Sequence, residues 1–261
     1  MKRHYIIKEW SLYGEIHMGI LNYELTGPSK ELYDRLMASD FDIVSLKKEL
    51  DAGKYDPDAV NDAVIEYIDD CSSVEDYFRE LTGEDPREHR LPDGDKIIPG
   101  LDSSHVTEVI RLLLNYGLDP NRIYNKGTED AICLIDWLRF IDNGYQAADS
   151  VALLLENGGN PNLCDDRYHY FAETDFDVQF NTINSDMLSP QQLDAFIHYW
   201  MVLIGYGAKP PVPMTLKDGF DVRELRNHRN YYFGAIHEKD AVDGWDFCIF
   251  DYRTHWEVAR Y

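Results

Sequence analysis

Apolar residues recur at helical spacing in several blocks of the chain, and two blocks end in the same way. Leu112, Leu113 and Leu114 close one run, which continues Asn-Tyr-Gly-Leu-Asp-Pro-Asn to residue 121. Leu153, Leu154 and Leu155 close another, which continues Glu-Asn-Gly-Gly-Asn-Pro-Asn to residue 162. Glycine just past a helix takes the left-handed conformation that a β-carbon penalises. The proline that follows cannot continue the helix, and the Asp or Asn beside it favours a turn. Looser copies of the phrase end at Gly53 and Gly207.

The same patterning predicts the other elements. Residues 4–25 mix β-branched and aromatic residues around Gly14 and Gly19, which predicts one or two strands within 1–28. Ser29 is a candidate N-cap for a short helix with Leu32, Leu36 and Met37 on one face. Asp40 or Asp42 caps a second with Val44, Leu46 and Leu50, and a third spans Ala59 to Cys71. Residues 72–104 break the rhythm and read as an insertion holding a short helix, Val74 to Leu81. Helices are expected over Val106–Tyr116, Glu129–Ile141, Ala147–Asn157 and from Ser189-Pro190 to Gly207, with hairpin-like fingers at 118–127 and 159–168. The segment 212–261 then offers a helix around 218–228 and two or three antiparallel strands at 231–237, 245–251 and 254–260.

Helix, loop, helix, glycine, Asp/Asn-Pro-Asn and finger together resemble the ankyrin repeat, over roughly residues 29–211. The glycine spacings of 64, 41 and 49 exceed the ankyrin period of about 33, and the Thr-Pro-Leu-His start is reduced to Gly127-Thr128. The resemblance implies a mostly α-helical fold: an ankyrin-like repeat stack with a small antiparallel β element from the N- and C-terminal segments. It also implies binding of other proteins through fingers and first helices. On that analogy the partner-binding residues are Arg122, Tyr124, Asn125 and Lys126 in one finger and Asp165, Asp166, Arg167 and Tyr168 in the other.

Charge sharpens the expectation. The chain carries 25 Lys and Arg against 48 Asp and Glu, a net −23. Residues 211–261 hold 7 basic and 9 acidic side chains, so nearly all the excess lies in 1–210. Such a chain is repelled by nucleic acid and by anionic membrane, and it steers towards basic proteins. With the resemblance to degenerate bacterial ankyrin proteins, this points to an inhibitor or immunity protein blocking a basic partner such as a toxin nuclease. The competing readings are a scaffold whose acidity serves solubility alone and an enzyme using Arg223, Glu224, Arg226, His228 and Arg229 with His237 or His255. Four scattered cysteines without a CxxC pair, and the lack of an export signal or apolar span, fit a cytoplasmic protein. No catalytic motif, metal-ligand spacing or cofactor-binding loop stands out, so catalysis, metal and cofactor are expected to be absent.

Overall fold

The computed structural model describes residues 20–38, 40–82, 105–128, 131–138, 145–163, 190–209, 214–236 and 246–260. Over these residues the chain is a helical protein with two small antiparallel sheets. The helices are α1 (Gly27–Leu36), α2 (Ile43–Asp51), α3 (Pro57–Thr82), α4 (Val106–Leu113), α5 (Leu134–Trp137), α6 (Gln146–Glu156) and α7 (Pro190–Gly205). Strands β1 (Ile123–Tyr124) and β2 (Ile132–Cys133) form the first sheet. The second has the order β3-β6-β5-β4, from β3 (Thr215–Leu216), β4 (Tyr231–Ile236), β5 (Asp246–Asp251) and β6 (Glu257–Arg260). A 3-10 segment, Val222–Asn230, leads into β4.

The helices pack in one connected set. α1 lies on α3, α3 touches both α4 and α5, α4 lies on α6 and α6 on α7. Leu32, Leu36, Val60, Val64, Ile68, Val109, Ile110, Leu113, Val151, Leu154 and the run Met201 to Leu203 all fall in one continuous core. Leu113 and Leu154, from the two triple-leucine runs, are thus buried in the same core, and the Thr107 and Ser150 hydroxyls meet at 2.8 Å across the α4–α6 contact.

Each glycine stop is built alike. Gly117, Gly158 and Gly207 have φ of 98°, 94° and 96°. The residue after each glycine donates its N–H back over the helix end: Leu118 to Leu113 O, Gly159 to Leu154 O and Ala208 to Leu203 O. These bonds satisfy carbonyls that the helix terminus leaves open. In the Asp/Asn-Pro-Asn turns, Asp119 Oδ1 accepts from Asn121 N and Asn160 Oδ1 from Asn162 N, both at 2.9 Å.

Asparagine side chains from earlier in the chain bind each of these glycine turns. Asn61 Nδ2 donates to Gly117 O and its Oδ1 accepts from Asp119 N, each at 2.9 Å. Asn162 repeats the pattern on Gly207 O (2.8 Å) and Lys209 N (3.0 Å), and Asn121 does so on Gly158 and Asn160. Two tyrosines add a second link. Tyr116, just before its glycine, donates to Asp51 (2.5 Å), and Tyr206, placed alike, donates to Glu156 (3.1 Å).

Several elements differ from the sequence expectation. α3 runs unbroken past Cys71 to Thr82, because no glycine or proline stands between Pro57 and Gly83 to stop it. The insertion expected at 72–104 thus begins as a continuation of α3, and residues 83–104 lie outside the described set. Within the helix expected at 129–141, β-branched Ile132 and Cys133 instead pair with the finger as a strand, and among the described residues of that range Leu134–Trp137 is α-helical. α1 starts after Thr26 rather than at Ser29, and Asp42 caps α2 by accepting from Val44 N and Ser45 N. The helix expected near 218–228 is the 3-10 segment. The four-stranded sheet takes its described strands from the C-terminal segment alone; residues 1–19 are outside the described set, and 20–26 form no strand.

Candidate interaction surface

The first finger is a short hairpin, with Ile123 opposite Cys133 and Tyr124 opposite Ile132. Asn125, at φ 51°, and Gly127, at φ 83°, turn the chain between the strands. This places three of the four sequence-predicted residues of that finger against α3 and the N-terminal segment. Arg122 reaches Asp58 at 2.6 Å and Asp62 at 2.9 Å. Tyr124 is 3% exposed and donates its hydroxyl to Asn61 O at 3.0 Å. Asn125 donates to Ile20 O at 2.8 Å and accepts from Asn22 N at 3.0 Å. Lys126 is exposed at the tip. Asp165, Asp166, Arg167 and Tyr168 lie outside the described residues.

The partner of this finger is an acidic edge of α3. Asp58, Asp62, Glu66 and Asp70 stand four residues apart and share one side of the helix. Like charges at that spacing repel, so the edge needs donors. Arg122 serves the first two. Glu66, 6% exposed, accepts from Leu21 N at 2.7 Å. Asp70, 7% exposed, accepts from the Tyr33 hydroxyl, and burial together with that bond holds the Tyr33 phenol far above its usual range. Residues 20–22 are therefore strapped over α3 and the finger by hydrogen bonds at both edges.

Charge left on the surface has a different address. Residues 20–71 carry 13 acidic and 5 basic side chains. Of these acids, Glu24, Glu31, Asp34, Asp40, Asp42, Asp51, Asp56 and Asp58 are exposed. Some are partnered locally: Asp34 with Lys30, and Asp51 with Lys47 at 2.7 Å. The described parts of 214–260 hold six of each sign.

The basic cluster at 223–229 is engaged inside the chain. Arg223 pairs with Asp221, Arg229 with Asp149, and Arg226 donates to Gly205 O at 2.8 Å while lying over the Tyr206 ring. His228 is buried, His255 is exposed, and His237 lies outside the described residues. Among the described residues, no three His, Cys, Asp or Glu side chains gather in metal-binding geometry, and no helix is long and apolar enough to cross a membrane.

Sequence reasoning missed two arrangements. The asparagine links were visible only as the recurring Asn four residues after Gly117 and Gly158; their partners lie 37 to 58 residues away. The contact of His228 with His198 and Asp149 left no signal, since these partners are 30 and 79 residues away.

Compared with known protein families, characterised proteins and solved structures, the chain gives no match in any of the three. Fold and chemistry alone therefore carry the functional reading.

Proposed function

We propose that this chain is a degenerate ankyrin-like stack acting as a non-catalytic binding module, which presents an acidic face to a basic protein in the manner of an inhibitor or immunity protein. The observation that carries the reading is the division of charge. Eight exposed carboxylates stand against four exposed lysines, Lys30, Lys47, Lys48 and Lys54, between Glu24 and Asp58, while the described C-terminal module balances six acids with six bases. Support for the stack comes from the succession of helix contacts and the like-built glycine turns bonded by asparagines. A face with an excess of carboxylates raises the rate of encounter with a cationic partner. Because Arg122, Tyr124 and Asn125 are engaged within the chain, the contact surface on this reading moves to Glu31, Asp34, Asp51, Asp56 and Asp58 on α1, α2 and the start of α3.

The test is capture of partners by the immobilised chain from native-cell extract, followed by affinity measurement across a salt series. A basic partner whose affinity falls at least about ten-fold between 50 and 300 mM salt supports the reading. A neutral or acidic partner, or a salt-independent affinity, favours the scaffold whose acidity serves solubility. That alternative has its own observation in the local pairing of Asp34 and Asp51 with lysines.

A further inference from the structure

The four-stranded sheet carries an exposed aromatic surface that the acidic face does not use. Trp256 is 76% exposed and Tyr252 is 48% exposed, both in the turn between β5 and β6. Tyr232, on β4, extends the surface. Its ring stacks on Phe250 with centroids at 5.3 Å and tilts against Tyr252 at 4.8 Å. Its hydroxyl lies 3.4 Å from Nδ1 of exposed His255.

The turn is fixed from within. Asp251 Oδ1 accepts from Arg253 N and Thr254 N at 2.8 Å and from the Thr254 hydroxyl at 3.1 Å. These bonds, led by the Thr254 N–H, hold the Asp251 carboxyl below its usual range, as a carboxylate engaged inside the turn. Backbone bonds close the loop, from His255 N to Asp251 O at 2.8 Å and from Asp251 N to Trp256 O at 3.0 Å. His255 sits at φ 58°, a left-handed backbone that a β-carbon disfavours. A turn so held loses little freedom when it binds.

The chemistry of the tip is self-complementary. Residues 252–256 carry one formal charge, that of Arg253, which is exposed and makes no ion pair among the described residues. The other described bases of 214–260 are engaged: Lys217 and Arg260 with Glu257, Arg223 with Asp221, Arg229 with Asp149, and Arg226 over the Tyr206 ring. Trp256 makes no ring contact among the described residues. A guanidinium is attracted to the face of an indole or a phenol. Trp, Tyr and Arg are also the side chains that dominate protein interfaces.

Charge selects the occupant. Each copy of the chain carries a net −23, so two copies repel over most of their surface. The described parts of 214–260 balance six acids with six bases, and there two copies approach without net repulsion. A basic protein is drawn to the carboxylates between Glu24 and Asp58 and meets like charge at Arg253.

We propose that this surface is a two-fold contact between two copies of the chain, with Arg253 of each copy lying over Trp256 of the other. A two-fold axis makes every such contact twice. Tyr232, Tyr252 and Trp256, at about 150–250 Å² each when wholly covered, fall short of the about 800 Å² per partner of a standard interface. The dimer is therefore weak, with a dissociation constant of about 10–100 μM. Salt strengthens it by screening the two like-charged copies, opposite to its effect on capture of a basic protein.

Sedimentation equilibrium of the full chain from about 5 to 500 μM, at about 50 and 300 mM salt, tests the contact. A monomer–dimer equilibrium that tightens at the higher salt is expected. Trp256→Ala should weaken it at least about ten-fold and Arg253→Ala at least about three-fold. Val44→Ala, which trims a 59% exposed side chain on α2, should leave it unchanged. Circular dichroism checks that each variant is folded, and should Trp256→Ala fail to fold, Arg253→Ala decides alone. A chain that stays monomeric throughout, a dimer that survives both substitutions or is weakened by salt, or assembly beyond a dimer overturns the proposal.

Discussion

The side-chain amide of Asn121 grips the peptide beyond the next helix, donating from Nδ2 to Gly158 O at 2.9 Å and accepting at Oδ1 from Asn160 N at 2.7 Å. One residue thus satisfies a donor and an acceptor that the glycine turn leaves open. Asn61 does the same at a site where its own side chain is buried, at 2% exposure.

Removing these amides should cost stability according to burial. Each bond contributes about 0.5–1.5 kcal/mol net, and more where the stranded partner is kept from water. Asn121→Ala is expected to lose about 1–2 kcal/mol and Asn61→Ala about 2–3 kcal/mol in urea unfolding. Equal, near-zero losses would show that the links carry no load.

The glycines at two stops should respond unequally to a methyl group. Left-handed backbone costs an alanine about 1–2 kcal/mol. At Gly158 a Cβ would meet nothing within 4 Å, so Gly158→Ala should show only that cost. At Gly117 a Cβ would fall 2.8 Å from the Cβ of Pro57, on the first turn of α3. Gly117→Ala should lose about 2–4 kcal/mol, the excess arising from overpacking. Matching thermal shifts in the two variants would contradict the close approach of Pro57.

Arg122 separates an internal role from a surface one. Its guanidinium serves Asp62, whose side chain is 13% exposed, and Asp58, at 82%. The exposed pair adds little, whereas stranding the sheltered carboxylate is expensive. Arg122→Met should therefore lower stability by about 1–3 kcal/mol, read from a denaturant curve. A variant of wild-type stability that binds its partner less well would return Arg122 to the interface.

Glu257 supplies an acid-range marker for the C-terminal sheet. The hydrogen bond from Arg260, against the opposing effect of burial and with help from Lys217 at 2.9 Å, holds its carboxyl at about 2. A folded value below the unfolded one gives stability that is complete above about pH 4.5 and is lost as pH falls towards 2. Side-chain carbon NMR should place the Glu257 midpoint below 3; a midpoint above 4 would break the assignment.

What the sequence made legible was local. Gly117, Gly158 and Gly207 announced helix ends because a left-handed residue is a requirement of the turn itself. Buried Leu113 and Leu154 followed from helical spacing. The site was less legible because its residues find partners far along the chain. Arg122 sits in a polar loop and reads as a surface cation until α3 brings Asp58 and Asp62 to it from 64 and 60 residues away. Likewise His228 lies among arginines and asparagines, and only the arrival of α7 buries it. The end of α3 was misplaced for the opposite reason: Ser72 and Ser73 look like punctuation, but neither forbids helical backbone.

The asparagine links tie helix ends together without using an apolar side chain. The carbonyls of Gly117, Gly158 and Gly207 are each taken by an amide from far along the chain, so a change at Asn61, Asn121 or Asn162 loosens one turn and leaves the neighbouring apolar surface untouched.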